Sequence, residues 1–474
     1  MPELSQPARP ELYQHTDYFR NARNFVVHSS TFTSVSETKP HKDGFQILQD
    51  HVAPAAFHNS KQRVDPPRCH PRTREAVLEE LFDWIVGSMP RKAWITWLNG
   101  AAGAGKSAIC QSVAEMCIWR GIKVASFFFF HTDATRNTVD PVVATLAYQI
   151  IQLLPETKDS IVHAVESHPL IFEQTLATQL EVLIVAPIRR LPTSDMCSAL
   201  LLIVDGVDEC TGASVQMDLI HTFAELLQKR DLPLLILFGS RRESQIQMAF
   251  NARDMDGILK QLPLDYDYHA QEDIQRFLVE RFDNIKRSHP LRRRLGAAWP
   301  AAEHVQEIVQ KSSGQFVYAA VVIRFVSIPS CNPSTQLDIV RGLRPAGRAT
   351  PFAELDALYR LIFSHVDDIA TALGIVVYAL LIPSYHIQEV FSFFGITDDD
   401  GESILAQLSS VLSCDMDRGK IIFHHASLPD FLWDKERSLE YCISNISADL
   451  SIKWFRNAAS GRYKDLSIYN KTKF

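Results

Sequence analysis

Residues 100–107 read Gly-Ala-Ala-Gly-Ala-Gly-Lys-Ser, a run of small residues ending in a cation and a hydroxyl. They fit the pattern G-x-x-x-x-G-K-[ST] at every fixed position, which average composition produces by chance in about 2% of chains this long. The residue types match one chemistry, the cradling of phosphate. Backbone N–H groups of Gly100, Ala101, Ala102, Gly103, Ala104 and Gly105 can converge on phosphate oxygens because little side chain stands in the way. Ala108 continues into a helix whose unpaired N–H groups and positive dipole end add to the attraction. Lys106 is placed to reach the β- and γ-phosphates, and the Ser107 hydroxyl to ligate Mg²⁺. The bland alternative is a Gly/Ala-rich strand-to-helix turn with a chance lysine.

A second group of chemical residues follows a buried strand, Leu200-Leu-Leu-Ile-Val-Asp205-Gly-Val-Asp208-Glu209. An apolar run ending in aspartate presents a carboxylate at a strand's C-terminal end, where open α/β sheets bind ligands. Asp205 is expected to hold Mg²⁺ with Ser107. Asp208 or Glu209 is expected to orient and deprotonate an attacking water, since phosphoryl transfer needs charge neutralisation and in-line positioning more than covalent help. On its own, D-G-x-D-E at a strand end is also ordinary turn chemistry. A third run, Leu234-Leu-Ile-Leu-Phe-Gly-Ser240-Arg241-Arg242-Glu243, puts a guanidinium at another strand end, where Arg241 can read a γ-phosphate. Arg242 is read as a surface residue.

These groups need a scaffold, and the chain supplies one. Short apolar runs at 94–98, 124–130, 199–204 and 234–238 alternate with helical patterns at about 106–120 and 142–154. Runs of that kind are strands buried on both faces of a parallel sheet. After Glu243 the strands largely stop. Residues 270–345 and 352–434 read as helical, with one short strand candidate at Lys420–Phe423. The fold class expected is α/β: a three-layer αβα P-loop NTPase core with a parallel sheet, then a helical subdomain and a winged helix.

Composition limits the rest. Apolar residues make up 46%, charged residues 22%, and the net charge is −7. That is globular composition, and the acidic balance argues against a general nucleic-acid binder. Arg292-Arg293-Arg294 is read as a solvated turn, with a polyanion contact as its alternative. The eight cysteines, Cys69, Cys110, Cys117, Cys197, Cys210, Cys331, Cys414 and Cys442, show neither a C-x-x-C pair nor a recurring spacing, so no zinc site or disulfide framework is expected. The N-terminus lacks a basic start followed by an apolar core. The longest apolar stretches, 316–328 and 372–382, fall short of the roughly 20 residues of a membrane span. A cytoplasmic setting without membrane contact is the expectation.

The three strand ends, in this order, resemble the NACHT family of signal-transducing NTPases (the STAND class), and most closely its fungal, NLR-like members with a module similar to the N-terminus of nephrocystin-3. Asp205-Gly-Val-Asp208-Glu209 is similar to the family's acidic signature. Gly239-Ser-Arg-Arg-Glu243 resembles its T-S-R-P-E phrase, with Gly239 for threonine and Arg242 for proline, and implies the sensor role for Arg241. Thr145-Leu-Ala-Tyr-Gln149 and Gly314-Gln-Phe-Val-Tyr-Ala319 resemble further family phrases. Cys69-His-Pro-Arg-Thr73-Arg74 resembles C-x-P-G-T-R, which implies that Thr73 or Arg74 lies near base and ribose. Phe127-Phe-Phe-Phe-His131 resembles a strand end where the family often has arginine, and His131 is read as core and loop. His425-Ala-Ser-Leu-Pro-Asp-Phe431 resembles the winged-helix phrase H-x-S-[FL]-x-[DE]-F, which implies a contact from His425 to the β-phosphate of ADP. Without the resemblance, His425 reads as a satisfied core histidine.

The resemblance covers roughly residues 69–435 and implies an organisation. Residues 1–65 form a short leader, β-prone or disordered, 66–92 a linker and first helix, and 93–250 the NTPase core. A helical subdomain follows at 251–348, a winged helix at 349–440 and a tail at 441–474 without sensor repeats, as in a truncated receptor or a receptor core. The function implied is a slow Mg²⁺-dependent NTPase switch of innate-immunity type, closed with ADP and open with ATP, self-associating when active. Its trigger and effector are unspecified, and GTP is open beside ATP. The alternatives are a nucleotide-dependent scaffold that does not hydrolyse, a small-molecule kinase and, least favoured, a helicase. Segment 24–35 is β-prone, uncharged and free of Pro. It reads as a hairpin or disordered leader, or as a cross-β segment that templates assemblies.

Overall fold

Four apolar runs and a mixed fifth build one parallel sheet: β1 (Ile95–Asn99), β2 (Val124–Phe128), β3 (Leu200–Asp205), β4 (Leu234–Ser240) and β5 (Leu259–Pro263), in the order β2-β3-β4-β1-β5. The computed structural model describes residues 42–446, except 64–65, 88–91, 193–198, 229–231, 265–269, 344–351, 383–384, 417 and 445. Segment 24–35, Cys197 and nearly all of the 441–474 tail lie outside the described residues.

β1 to β4 are buried along their whole length, which is why their sequences are continuously apolar rather than alternating. β5 went unread in the sequence for the converse reason. Its residues, Leu-Lys-Gln-Leu-Pro, place Lys260 and Gln261 at the sheet edge, where charge and a terminal proline are tolerated. Register brings the strand ends level: Asn99 of β1 pairs with Ser240 of β4, and Asp205 of β3 with Gly239. Loops leaving β1, β3 and β4 therefore start side by side.

The helix Lys106–Trp119 buries Ile109, Cys110, Val113, Ala114 and Cys117, a helical stripe that lies on the sheet. The helix Glu75–Val86 does the same with Val77, Leu81 and Ile85. The expectation of a leader through residue 65 is corrected by the structure. A helix at Gly44–Asp50 buries Leu48 in the sheet's core, Ala53 N–H donates to Thr145 Oγ1 (2.9 Å), and His58 N–H donates to Ser126 Oγ (3.0 Å). The segment is short and polar on its outer side, so periodicity alone did not reveal it.

A second hydrophobic core runs from Ile274 to Ile443. It is helical, from Ala270–Ser288 through Asp398–Ala406, and includes the apolar helices Phe316–Val326 and Ile369–Leu381. Two strands close it, β6 (Leu412–Asp415) and β7 (Lys420–Phe423), paired antiparallel and followed by the helix Ser427–Trp433. The sequence pointed to β7 but not to its partner β6. Arg292–Arg294 is one 3₁₀ turn with no residue buried, as a solvated turn requires. Among the described residues no single helix is long and apolar enough to cross a membrane.

Candidate nucleotide site

The phosphate loop spans β1 and the helix Lys106–Trp119. Gly103 has φ +77°, a conformation costly for other residues, and a Cβ there would run into Val317 Cγ1 of the helix Phe316–Val326. The glycine thus lets the loop pack directly against the second core. Lys106 is buried, and its ammonium donates to Gly100 O (3.0 Å) and Ala101 O (2.9 Å). Burial lowers its pKa from the usual lysine value, opposed by the nearby Asp208 and Asp205 carboxylates.

Asp205 stands at the end of β3, 3% exposed. Burial pushes its carboxyl up to about 6, partly offset by a hydrogen bond from Ser107. The two expected metal ligands are therefore already in contact. Among the described residues no group of three or more His, Cys, Asp or Glu is arranged to hold a metal ion. Ser107 and Asp205 fit a Mg²⁺ that takes its remaining ligands from phosphate and water, and a buried acid whose charge is disfavoured by desolvation gains from such a cation. A further contact, absent from the sequence reading, is the Cys110 thiol, which is hydrogen-bonded to Asp205 and pushed well up by burial.

Gly239 sits across from Asp205, where a Cβ would overlap Asp205 Oδ1 and crowd Cys110 Sγ. This explains glycine in place of the resembled threonine. Gly239→Thr is expected to lower stability by about 1–3 kcal/mol, as overpacked cores do. Thermal unfolding checks it, and an unchanged midpoint shows that Asp205 has room to move.

Asp208 and Glu209 lie on the 3₁₀ turn Val207–Glu209 just past β3. Asp208 accepts from the Arg241 backbone N–H (2.9 Å) and pairs with Arg241 Nε (3.0 Å). Burial and the neighbouring Glu209 raise its pKa, against the pull of Lys106 and Arg241. Glu209 accepts from the His131 N–H (3.2 Å), with His131 Nδ1 3.5 Å away. Burial works against its charge, yet His131 and Arg241 hold its pKa below the usual carboxylate value. Phe127, Phe128 and Phe129 are core and His131 lies in the turn beyond, as read, and there it also faces Glu209. Its position after a buried strand was the available signal.

Arg241 joins two parts of the chain. Besides Asp208 it pairs, through Nη1, with Asp430 Oδ2 (2.7 Å) on the helix Ser427–Trp433. Burial disfavours its charge, but Asp430 and Asp208 together raise its pKa. Arg242 turns aside to Asn99 Oδ1 (2.5 Å). His425 lines the same cavity as Lys106, Asp205 and Arg241, a space of about 1330 Å³. Its Nδ1 accepts from the Ser427 N–H (3.0 Å) and contacts Ser427 Oγ (2.7 Å), which leaves the neutral ring's proton on Nε2. The neighbouring His424 bonds to Ser409 O instead (3.2 Å).

Burial, then Arg241, depresses the His425 pKa to about 4, with Lys106 adding and Glu209 and Asp430 opposing. The unfolded chain then binds a proton near pH 6.5 that the folded chain refuses until about pH 4. Stability from this group is therefore present above pH 6.5 and lost as pH falls, by at most about 1.4 kcal/mol per pH unit. Unfolding midpoints between pH 4.5 and 7 should fall more steeply for the wild type than for His425→Gln. Parallel slopes contradict this.

Thr73 and Arg74 lie at the other side of the loop, both buried. Thr73 Oγ1 donates to His70 O (2.6 Å). Arg74 donates to Ala104 O of the phosphate loop (2.7 Å) and stacks on Phe316 (4.9 Å), and its backbone N–H bonds to Asp273 (2.8 Å). Its Nε and Nη1 find no hydrogen-bond partner among the described residues. Buried guanidinium donors left unpaired beside a phosphate loop fit a polar or anionic ligand. Apolar Phe277, Phe316, Ala320 and Ile323 line the cavity on this side and offer a surface for a flat base.

Thr73, Arg74, Lys106, Ser107, Asp205, Asp208, Glu209, Arg241 and His425 line one cavity with Ala102, Gly103, Gly105 and Ala108, whereas Gly100, Ala101 and Ala104 are not among its lining residues. Residues 73–241 match the family described as Nephrocystin 3, N-terminal. These residues are similar to the N-terminal module of nephrocystin-3. The match runs from Thr73 to Arg241, and so takes in the phosphate loop, Asp205, Asp208 and Glu209, while His425 and Asp430 lie beyond it. No curated protein sequence matches the chain. Among solved structures, a Walker-type ATPase of Pyrococcus abyssi is similar at 12% identity and TM-score 0.38, covering 76% of this chain and 96% of that one. Cdc6p of Pyrobaculum aerophilum is similar at 13% identity and TM-score 0.33, covering 81% and 97%. The Orc1 protein of Aeropyrum pernix, solved in complex with DNA, is similar at 14% identity and TM-score 0.34, covering 79% and 92%.

Proposed function

We propose that the nephrocystin-3-like module is the nucleotide-binding and hydrolysing part of a signalling switch. The observation that carries this reading is the meeting, in one cavity, of the phosphate loop, the acidic strand end and Arg241 with His425 from the second core. In this reading the loop N–H groups and Lys106 hold the β- and γ-phosphates, and Thr73 and Arg74 lie near base and ribose. Ser107 and Asp205 hold Mg²⁺, which neutralises phosphate charge when bound. Glu209, oriented by His131, accepts the proton of the attacking water, and Arg241 senses the γ-phosphate.

The geometry supports a switch over a simple hydrolase because residues 251–348, a helical subdomain, and 349–440, read as a winged helix, contribute groups to the site. His425, with its Nε2 proton, suits a β-phosphate oxygen in a closed, ADP-holding form. Exchange for ATP then opens the chain and permits self-association, with slow hydrolysis as the reset. A ligand shifts such an equilibrium only through contacts that differ between the two states, and in this reading those are the contacts of Arg241 and His425. The setting proposed is cytoplasmic. One observation favours the non-hydrolysing scaffold as a second reading: Asp208 is fully engaged by Arg241.

Light scattering on the full chain tests the switch. With Mg²⁺ and a non-hydrolysable ATP analogue the mass should rise above that of the ADP-bound chain, whereas equal masses in both nucleotides contradict switching by assembly.

A further inference from the structure

The geometry points to Asp430 as the residue that makes the site discriminate nucleoside diphosphate from triphosphate, by occupying Arg241 where a γ-phosphate oxygen would. This rests on the reading of the cavity as a nucleotide site.

Arg241 has one positive charge and two carboxylate partners. Nε bonds Asp208, and Nη1 bonds Asp430 at 2.7 Å, the shorter of the two ion pairs. The guanidinium is therefore already over-neutralised. A γ-phosphate arriving there meets net negative charge and must compete with Asp430 for donors, because like charges in a partly dry site repel strongly. A diphosphate, ending one phosphate short, makes no such demand. Of the two carboxylates, Asp208 belongs to the same sheet edge as Arg241, whereas Asp430 comes from the second core.

Displacing Asp430 has consequences beyond the site. The helix Ser427–Trp433 that carries it is tied to the second core: Ser427 Oγ bonds Tyr359 OH (2.9 Å), and Phe431 packs on Tyr359 and Phe363. Just beyond, Arg437 holds buried Asp356 with both Nε and Nη2. The helix start lies two residues after His425, so a shift of this helix that parts Asp430 from Arg241 also carries His425 with it. Discrimination at one ion pair is thereby coupled to the contact between the two cores.

The test uses the full chain with Mg²⁺ and fluorescent ADP or a fluorescent non-hydrolysable ATP analogue. Asp430→Asn keeps the side-chain shape and removes the charge. It should improve ATP-analogue affinity about tenfold while ADP affinity stays within about threefold. In an Arg241→Ala background, Asp430→Asn should change neither affinity. A ratio of affinities unchanged by Asp430→Asn overturns the inference while leaving the nucleotide site intact. Failure of the wild type to bind either nucleotide removes the reading on which it rests. A measurement that needs no variant is amide hydrogen exchange of residues 427–438, expected to be faster with the ATP analogue than with ADP. Equal exchange overturns the inference.

Discussion

Lys106→Met is expected to abolish nucleotide binding, with a loss of about 100-fold or more in affinity, while leaving the fold as stable as before. The two halves of this expectation separate a functional lysine from a structural one. In the structure the ammonium is buried and, among the described residues, hydrogen-bonded to the carbonyls of Gly100 and Ala101. Burying a charge is costly unless it is well paired, and burial already depresses this group's pKa. Removing it relieves that cost, so the unfolding midpoint should hold or rise. Charge-assisted bonds to phosphate contribute about 1.5–3 kcal/mol each, and losing them accounts for the drop in affinity. Titration calorimetry with ADP and Mg²⁺, beside thermal unfolding, checks both. A variant that binds normally refutes the assignment; one that loses binding together with its fold marks Lys106 as structural.

Glu209→Gln is expected to reduce triphosphate turnover by about 10²–10⁴-fold with affinity changed by less than about threefold, the range typical of a lost general base. The choice of Glu209 over Asp208 comes from their partners. Asp208 is committed to both the backbone N–H and Nε of Arg241. Glu209 is held by the His131 N–H, and its pKa lies below the usual value, so at neutral pH it is an ionised acceptor. Single-turnover hydrolysis reads the chemical step, and equilibrium binding reads the ground state. Equal loss in Asp208→Asn but none in Glu209→Gln would reverse the two roles.

Much of this site was legible in the sequence because each strand end joins an uninterrupted apolar run to polar residues. Leu200–Asp205 is the clearest case, buried throughout and ending in the carboxylate. What the sequence hid was set by partners distant in the chain. The phrase H-x-S-[FL]-x-[DE]-F places an acid at Asp430 but says nothing of its partner; only the fold brings it to Arg241. His131 and Cys110 gained their contacts with Glu209 and Asp205 in the same way. The edge strand Leu259–Pro263 was missed because an edge tolerates lysine and glutamine, which erase the apolar run. The helix Gly44–Asp50 was missed because it is too short for periodicity to declare itself.

The most direct test of the account is to purify the full chain, release and identify what it retains, and then measure turnover of ATP and GTP with Mg²⁺. The account predicts a retained nucleoside diphosphate and slow, Mg²⁺-dependent hydrolysis that Lys106→Met abolishes. No retained nucleotide, together with no binding of ATP or GTP at millimolar concentration in Mg²⁺, would contradict it.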